Sequence, residues 1–330
     1  MVRWTIQSTI QVPQLVSPKR DAPVPMWQDL KPMKLAWASS AAQRCGVLLG
    51  ELAVQALIDE AELTPKPGLV DLRDNGAHTD LNVELMRRSA RALRPAFTAM
   101  GEAGWAQPAD QSLRERLAAI GRDGEASMLA ATGGTNTHRG AVWALGLLTG
   151  AAAVSGPGTS ATEIAAVAGA LARLPDRHAP QQRTSNGQRV QRRYGARGAR
   201  EEAEAGFPHV VDIGLPALRA ARSAGRTETQ ARLDALLAIM ASLEDTCLLH
   251  RGGHDALAAA RSGAATVLSR GGSGTAEGMA ALEQLGSRLV GIGASPGGSA
   301  DLLAAVLFLD RIDQSASTEL DACPLATSQL

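Results

Sequence analysis

Residues 40–81 read "SAAQRCGVLLGELAVQALIDEAELTPKPGLVDLRDNGAHTDL". "SAAQ" has the spacing of a capping box, and Val47, Leu48, Leu52, Leu57 and Ile58 then recur on one helical face up to Leu63. "TPKPG" ends that helix, because Pro65 and Pro67 lack amide protons and their rings clash with a preceding helical turn. No helical or strand period survives from 64 to 79. Asp80 then stands where it would cap a second helix carrying Leu81, Leu85, Met86, Leu93, Phe97 and Met100. The local plan is a polar loop held between two apolar helices.

The plan repeats along the chain. Helical periodicity predicts elements near 111–131, 139–154, 160–174, 197–206, 214–223, 227–243, 254–269, 275–289 and 298–313, and "SATE" at 160–163 and "TETQ" at 227–230 repeat the capping-box spacing. No segment alternates over strand length. The expected fold class is therefore all-α, a single multi-helix bundle-like domain with polar Gly/Pro-rich loops at helix ends. Residues 1–39, with Pro13, Pro18, Pro23 and Pro25, are expected to form an extended or partly disordered arm, 40–313 the catalytic domain, and 314–330 a tail. The stretch 175–196, "PDRHAPQQRTSNGQRVQRRYGA", reads as a solvated loop or as a mobile cationic flap over an anionic substrate.

Composition narrows the classes. Hydrophobic residues make up 45% of the 330 but aromatics only 3%, so Ala, Leu, Val and Ile must fill the core. Basic and acidic residues balance at 33 each, which argues against a nucleic-acid partner held by a global positive field. Any anion must be met locally. Cys45, Cys247 and Cys323 are far apart and form no CxxC pair, which fits a reducing compartment without a disulfide framework. The residues after Arg3 are too broken for a signal peptide, and no long apolar run reads as a membrane span, so a soluble, cytoplasmic protein is expected.

Four loops carry the polar chemistry: "TPKPGLVDLRDNGAHTD", "GGTNTHRGA", "LEDTCLLHRGGHD" and "SPGGSADLL". Lys66 is the only lysine beyond Lys34, and two of the four asparagines, Asn75 and Asn136, lie beside histidines in these loops. Gly252 and Gly253 after Arg251, and Gly297 and Gly298 before Ser299, allow backbone to approach an anion. "SPGGSAD" also opens a helix, whose free N–H groups favour phosphate. The Walker A pattern is absent. Asp71, Asp80, Asp245 and Asp301 are candidate Mg²⁺ ligands, although Asp80 and Asp301 also suit helix starts. His250 and His254 have an i, i+4 spacing, but the intervening "RGG" makes a two-histidine metal site a poor expectation. His78 and His138 suit proton transfer, base recognition or a structural hydrogen bond.

"TPKPGLVDLRDNGAHTDL", "GGTNTHRGAVWALGLL", "YGARGAREEAEAGFP", "IGLPAL", "MASLEDTCLLHRGG" and "SPGGSADLLAAVLFL" occur in that order from about residue 45 to 310. In these segments the chain resembles the triphosphoribosyl-dephospho-CoA synthase family, which makes the prosthetic-group precursor of citrate lyase and malonate decarboxylase. The resemblance implies ATP and 3'-dephospho-CoA as substrates, with Mg²⁺. The dephospho-CoA 2'-hydroxyl attacks the anomeric carbon of ATP and adenine leaves. It also implies a downstream carrier-protein transferase as a partner and is compatible with an oligomer.

Under that resemblance Lys66, Arg139, Arg251, Gly252 and Gly253 contact phosphates, with Gly297, Gly298 and Ser299 as a further cradle. Asp71, Asp80, Asp245 and Asp301 share the metal-binding and catalytic carboxylate roles. His78 and Asn75 serve proton transfer or adenine contact, and Asn136 and His138 complete the nucleotide pocket. Arg200 and Glu202 order the segment beside it. Arg139 stands where the family usually has Lys, and Cys247 where it often has Asn. "EDTCLLHRGG" is closer to the malonate decarboxylase branch. The rival readings are a Mg²⁺-dependent N-glycosidic hydrolase acting on ATP or an ADP-ribosyl compound, and a non-catalytic helical nucleotide- or carrier-binding protein.

Overall fold

The computed structural model describes residues 30–179 and 186–315. Residues 1–29 of the expected arm, 180–185 of the expected flap and 316–330 of the expected tail lie outside them. The chain divides into two units, Met1–Ser40 and Ala41–Leu330, and the core and all four polar loops belong to the second. Among the described residues there are helices and no strands, in agreement with the periodicity.

The first helix, α1 (Leu30–Glu62), starts upstream of the capping-box spacing at Ser40 and stops at the prolines. Its stretch Ser40–Glu62 is long and apolar enough to cross a membrane. Here it packs as a core helix does: Leu49, Ala53, Val54 and Leu57 are buried, and Gly46 and Gly50 lie directly on the backbone at Thr98.

The second predicted helix is two. Asn82, not Asp80, caps α2 (Val83–Ala92), with its Oδ1 accepting from Leu85 N at 2.9 Å. Pro95 opens α3 (Arg94–Gly104), since a residue without an N–H suits the first turn. Then come α4 (Gln111–Ala131), α5 (Arg139–Ser155) and α6 (Ala161–Arg173), the last with the capping box that "SATE" announced.

Part of the expected loop at 175–196 is helical, as α7 (Asn186–Tyr194), followed by α8 (Ala199–Glu204) and a π-helical turn at His209–Gly214. Next are α9 (Leu215–Ser223), α10 (Glu228–Ser242) and α11 (Thr246–Ser269). The last of these begins at Asp245 rather than near 254, and is broken inside at Gly253, whose φ of 63° and ψ of −154° are not helical. A 3-10 turn leads to α12 (Ala276–Gly291) and α13 (Gly297–Ser315).

The core lies around α5 and α13, where residues 144–153 and 302–310 are buried without interruption. All three phenylalanines, Phe97, Phe207 and Phe308, are fully buried, and small aliphatic residues fill the rest. With so few large rings, helices must approach closely: a Cβ on Gly104 of α3 would lie 2.4 Å from the Gly150 carbonyl oxygen of α5. Loops at one end of α5, α11 and α13 thereby come together with residues 64–80.

Candidate active site

The loop at 64–80 is built around Asp71. Its buried carboxylate accepts from Lys66 N at 2.9 Å, Arg73 N at 2.7 Å and Asp74 N at 3.2 Å. Lys66 turns inward, and its Nζ donates to Glu60 Oε1 at 2.5 Å and to the Glu60 carbonyl at 2.6 Å, with both side chains almost wholly buried. Asp71 and Lys66 therefore shape the loop from within. Asn75 is exposed and contributes its carbonyl to His78 N at 3.1 Å.

His78 reaches a cleft of about 1000 Å³, which is also lined by Asn136, Arg139, Gly140, Trp143, Glu202, Glu244, Asp245, Arg251, Ser295, Gly297, Gly298 and Asp301. His78 Nε2 lies 2.9 Å from Ser295 Oγ, and Nδ1 lies 3.1 Å from Arg251 Nη2. A guanidinium only donates, so Nδ1 accepts and the ring proton sits on Nε2, pointing to Ser295. Burial, then the Arg251 charge, hold the imidazole below its usual pKa. Asp80, exposed, is 3.6 Å from Nδ1.

His138 is not in the cleft wall. It is buried beneath it, with Nδ1 2.7 Å from Ser89 Oγ and no partner for Nε2. Burial, and secondarily the Lys66 charge, push its pKa down to about 3, so it is neutral. Asn136 accepts from Arg139 N at 3.2 Å, and Arg139 pairs with Glu125 at 3.0 Å across the mouth.

Asp245 has another task than the one its position in a polar loop suggested. Its Oδ1 takes Cys247 N at 2.9 Å, Leu248 N at 3.4 Å and Gly298 N at 3.3 Å, and its Oδ2 takes Ser299 N at 2.8 Å and Ser299 Oγ at 2.9 Å. One carboxylate caps α11 and α13 together. The N–H groups of Gly298 and Ser299, expected to cradle phosphate, are thus spent on Asp245. Gly297 and Gly298 serve close packing, since a Cβ on either would lie 3.1 Å from Cys247 Sγ or 3.0 Å from Asp245 Oδ1. Gly252 and Gly253 lie outside the cleft wall, at the break in α11.

Asp301 lines the cleft against the first turn of α5, so close that a Cβ on Gly140 would collide with it. Part of the side chain is accessible from the cleft, but protein crowds the carboxyl. Burial, then Glu60 and Asp245, raise its pKa well above the ordinary carboxylate range. The expected Mg²⁺ set of Asp80, Asp245 and Asp301 does not converge. Asp80 is at the rim, both oxygens of Asp245 are engaged, and among the described residues no three His, Cys, Asp or Glu side chains are grouped to hold a metal.

Three cleft or floor residues gave little signal in the sequence. Glu60 falls within an apolar helix, Ser295 reads as a turn residue, and Trp143 lies in a helical run. Glu202, expected only to order a neighbouring segment, lines the cleft and also accepts from His209 N at 2.8 Å, with His209 Nδ1 at 2.7 Å.

An all-α scaffold with one large arginine-bearing cleft, built from four separated loops and carrying an imidazole and a crowded carboxyl, defines an enzyme that handles bulky anionic substrates. The chain belongs to the ATP:dephospho-CoA triphosphoribosyl transferase family, whose sequence model matches residues 47–319. It is 56% identical over 284 residues to a probable 2-(5''-triphosphoribosyl)-3'-dephosphocoenzyme-A synthase of Stutzerimonas stutzeri, covering 86% of this chain and 96% of that protein. The synthase of Klebsiella pneumoniae is 52% identical over 279 residues, covering 84% and 95% of the two chains. A probable synthase of Azotobacter vinelandii is 57% identical over 264 residues, covering 80% and 90%. No solved structure matches the chain.

Proposed function

We propose that the chain transfers the 5-triphosphoribosyl group of ATP to the 2'-hydroxyl of 3'-dephospho-CoA and releases adenine. The observation that carries this reading is that segments matching the family meet at one cleft of about 1000 Å³, at the upper end of ligand-pocket volumes and suited to two nucleotides. In the reaction the bond from the anomeric carbon to adenine breaks and a bond to the acceptor oxygen forms. The hydroxyl proton must leave and adenine must gain one.

His78 is the candidate acceptor for the hydroxyl proton, because it is neutral and within the cleft. Its Nδ1 lone pair becomes available when a substrate phosphate draws Arg251 away. Asp301 is the candidate donor to adenine, since burial and the neighbouring Glu60 and Asp245 raise its pKa well above the ordinary carboxylate range, the direction a general acid needs. Arg139 and Arg251 supply the cations for the triphosphate. Mg²⁺ in this reading accompanies ATP as part of the substrate, as is usual for this ion.

Mass spectrometry after incubation with ATP, Mg²⁺ and 3'-dephospho-CoA tests the reaction. Free adenine together with a triphosphoribosyl adduct is expected, whereas adenine and free triphosphoribose would replace transfer by hydrolysis. Asp301→Asn, which keeps the shape but has no proton to give, is expected to lower kcat roughly 100-fold or more while preserving the fold. A variant within threefold of wild type would remove Asp301 from proton transfer.

Within the family we favour the malonate decarboxylase branch, on the "EDTCLLHRGG" segment, with a cytoplasmic location and a downstream carrier-protein transferase as recipient of the product. The genes flanking the coding sequence distinguish this branch from the citrate lyase one.

A further inference from the structure

Trp143 is an aromatic side chain of the cleft wall, and its surroundings hold the indole from two sides. On its edge, Nε1 donates to the Ala199 carbonyl at 3.0 Å, which ties α5 to the start of α8. Over one face, the Arg114 guanidinium carbon lies 5.2 Å from the ring centroid. Arg114 is buried, its Nε has no hydrogen-bond partner, and it does not line the cleft. A buried guanidinium that lacks part of its hydrogen bonding draws stabilisation from the π face beside it. Trp143 is itself only partly buried and lines the cleft, so part of the ring is accessible from it, while Arg114 occupies one face.

The ring is also well placed along α5. Arg139 and Trp143 are at i and i+4, on one helical face with Cβ atoms about 6 Å apart. Gly140 and Ala144, which line the same wall, add almost no bulk beside them. An apolar plate next to an arginine suits a flat heteroaromatic base joined to a phosphorylated sugar. Base–aromatic stacking of this kind needs no hydrogen-bond code, only a rigid ring with an open face.

We infer that Trp143, held by Arg114 and the Ala199 carbonyl, is the stacking platform for a purine base, with Arg139 beside it for the attached phosphates. This rests on the transferase reading for the identity of the base, which belongs either to the nucleotide donor or to the dephospho-CoA acceptor. The two sources are separable by experiment.

Isothermal titration of the full chain with ATP, 3'-dephospho-CoA, inorganic tripolyphosphate and 4'-phosphopantetheine, before and after Trp143→Leu, tests the inference. The expected result is a roughly 5- to 150-fold weaker Kd for one adenine ligand, the range that loss of one base stack gives, with tripolyphosphate and phosphopantetheine within twofold. Selective loss of ATP assigns the donor base, and selective loss of dephospho-CoA the acceptor base. Unchanged adenine binding, or equal weakening of the base-free ligands, would overturn the proposal. Trp143→Tyr guards against a folding defect: it keeps an aromatic face and loses the bond to Ala199, and binding of all four ligands within about threefold is expected. If Tyr weakens all four alike, the ring only holds α8 in place and the inference fails. Product analysis of the wild-type protein is independent of these arms. A base-selective loss without any adduct leaves the platform standing and removes the transferase reading.

Discussion

His138 illustrates how one side chain can matter to a cleft without facing it. Neutral and buried under the first turn of α5, it has a folded-state pKa of about 3 against an ordinary 6.5. The unfolded chain therefore binds a proton that the folded chain refuses, and the stability that His138 contributes is complete above pH 6.5 and is lost as pH falls toward 3. His78 is shifted in the same direction, so the comparison must isolate His138. In urea unfolding, the stability of wild type relative to His138→Gln is expected to fall by up to about 1.4 kcal/mol per pH unit below pH 6.5. Parallel pH curves for the two proteins would show that the imidazole is protonated in the folded state. Lys66 and Asp71 make the same point through geometry. Polar residue types in a polar loop pointed to ligand contact, yet their partners are Glu60 and the loop's own backbone. A burial environment cannot be read from the residue types alone.

The break in α11 shows a single residue setting the course of an element. Gly253 adopts φ 63° and ψ −154°, a conformation open essentially to glycine, and it separates the turn bearing His250 and Arg251 from the long apolar run after His254. Gly253→Ala is expected to cost roughly 1–3 kcal/mol in urea unfolding, from backbone strain. Because the turn before it carries Arg251 to His78, ATP binding is expected to weaken with it. A variant as stable as wild type would mean that α11 can run straight through this point. The periodicity caught helix interiors well and boundaries less well. Pro95 divides the predicted second helix into α2 and α3, and Asp245 starts α11 more than two turns before the predicted onset. Asn82 takes the capping position ascribed to Asp80, because its Oδ1 meets Leu85 N while Asp80 turns to His78. Which of two nearby polar residues caps a helix is decided by geometry, not by chemistry.

The chain as a whole carries no excess charge, 33 basic against 33 acidic residues, so attraction for a polyphosphate must come from the arginines gathered at the cleft. Because Arg139 and Arg251 are exposed, salt screens them. Tripolyphosphate binding is expected to weaken roughly tenfold between about 0.05 and 0.5 M salt, as the Debye length shortens. Binding indifferent to salt would place the phosphates elsewhere. The all-α class was legible in sequence because core helices of Ala, Leu, Val and Ile write a 3.6-residue period over many turns, and prolines and glycines punctuate it. The four polar loops were legible for the same reason, as interruptions of that period. Which of their residues face the cleft was not. Asp245 became a double cap, His138 a buried neutral ring, and Trp143 a wall of the cleft only when α5, α8, α11 and α13 were packed together. Periodicity is a local property that each segment carries with it, whereas the partner of a carboxylate or a ring comes from residues distant along the chain and exists only once the helices are docked.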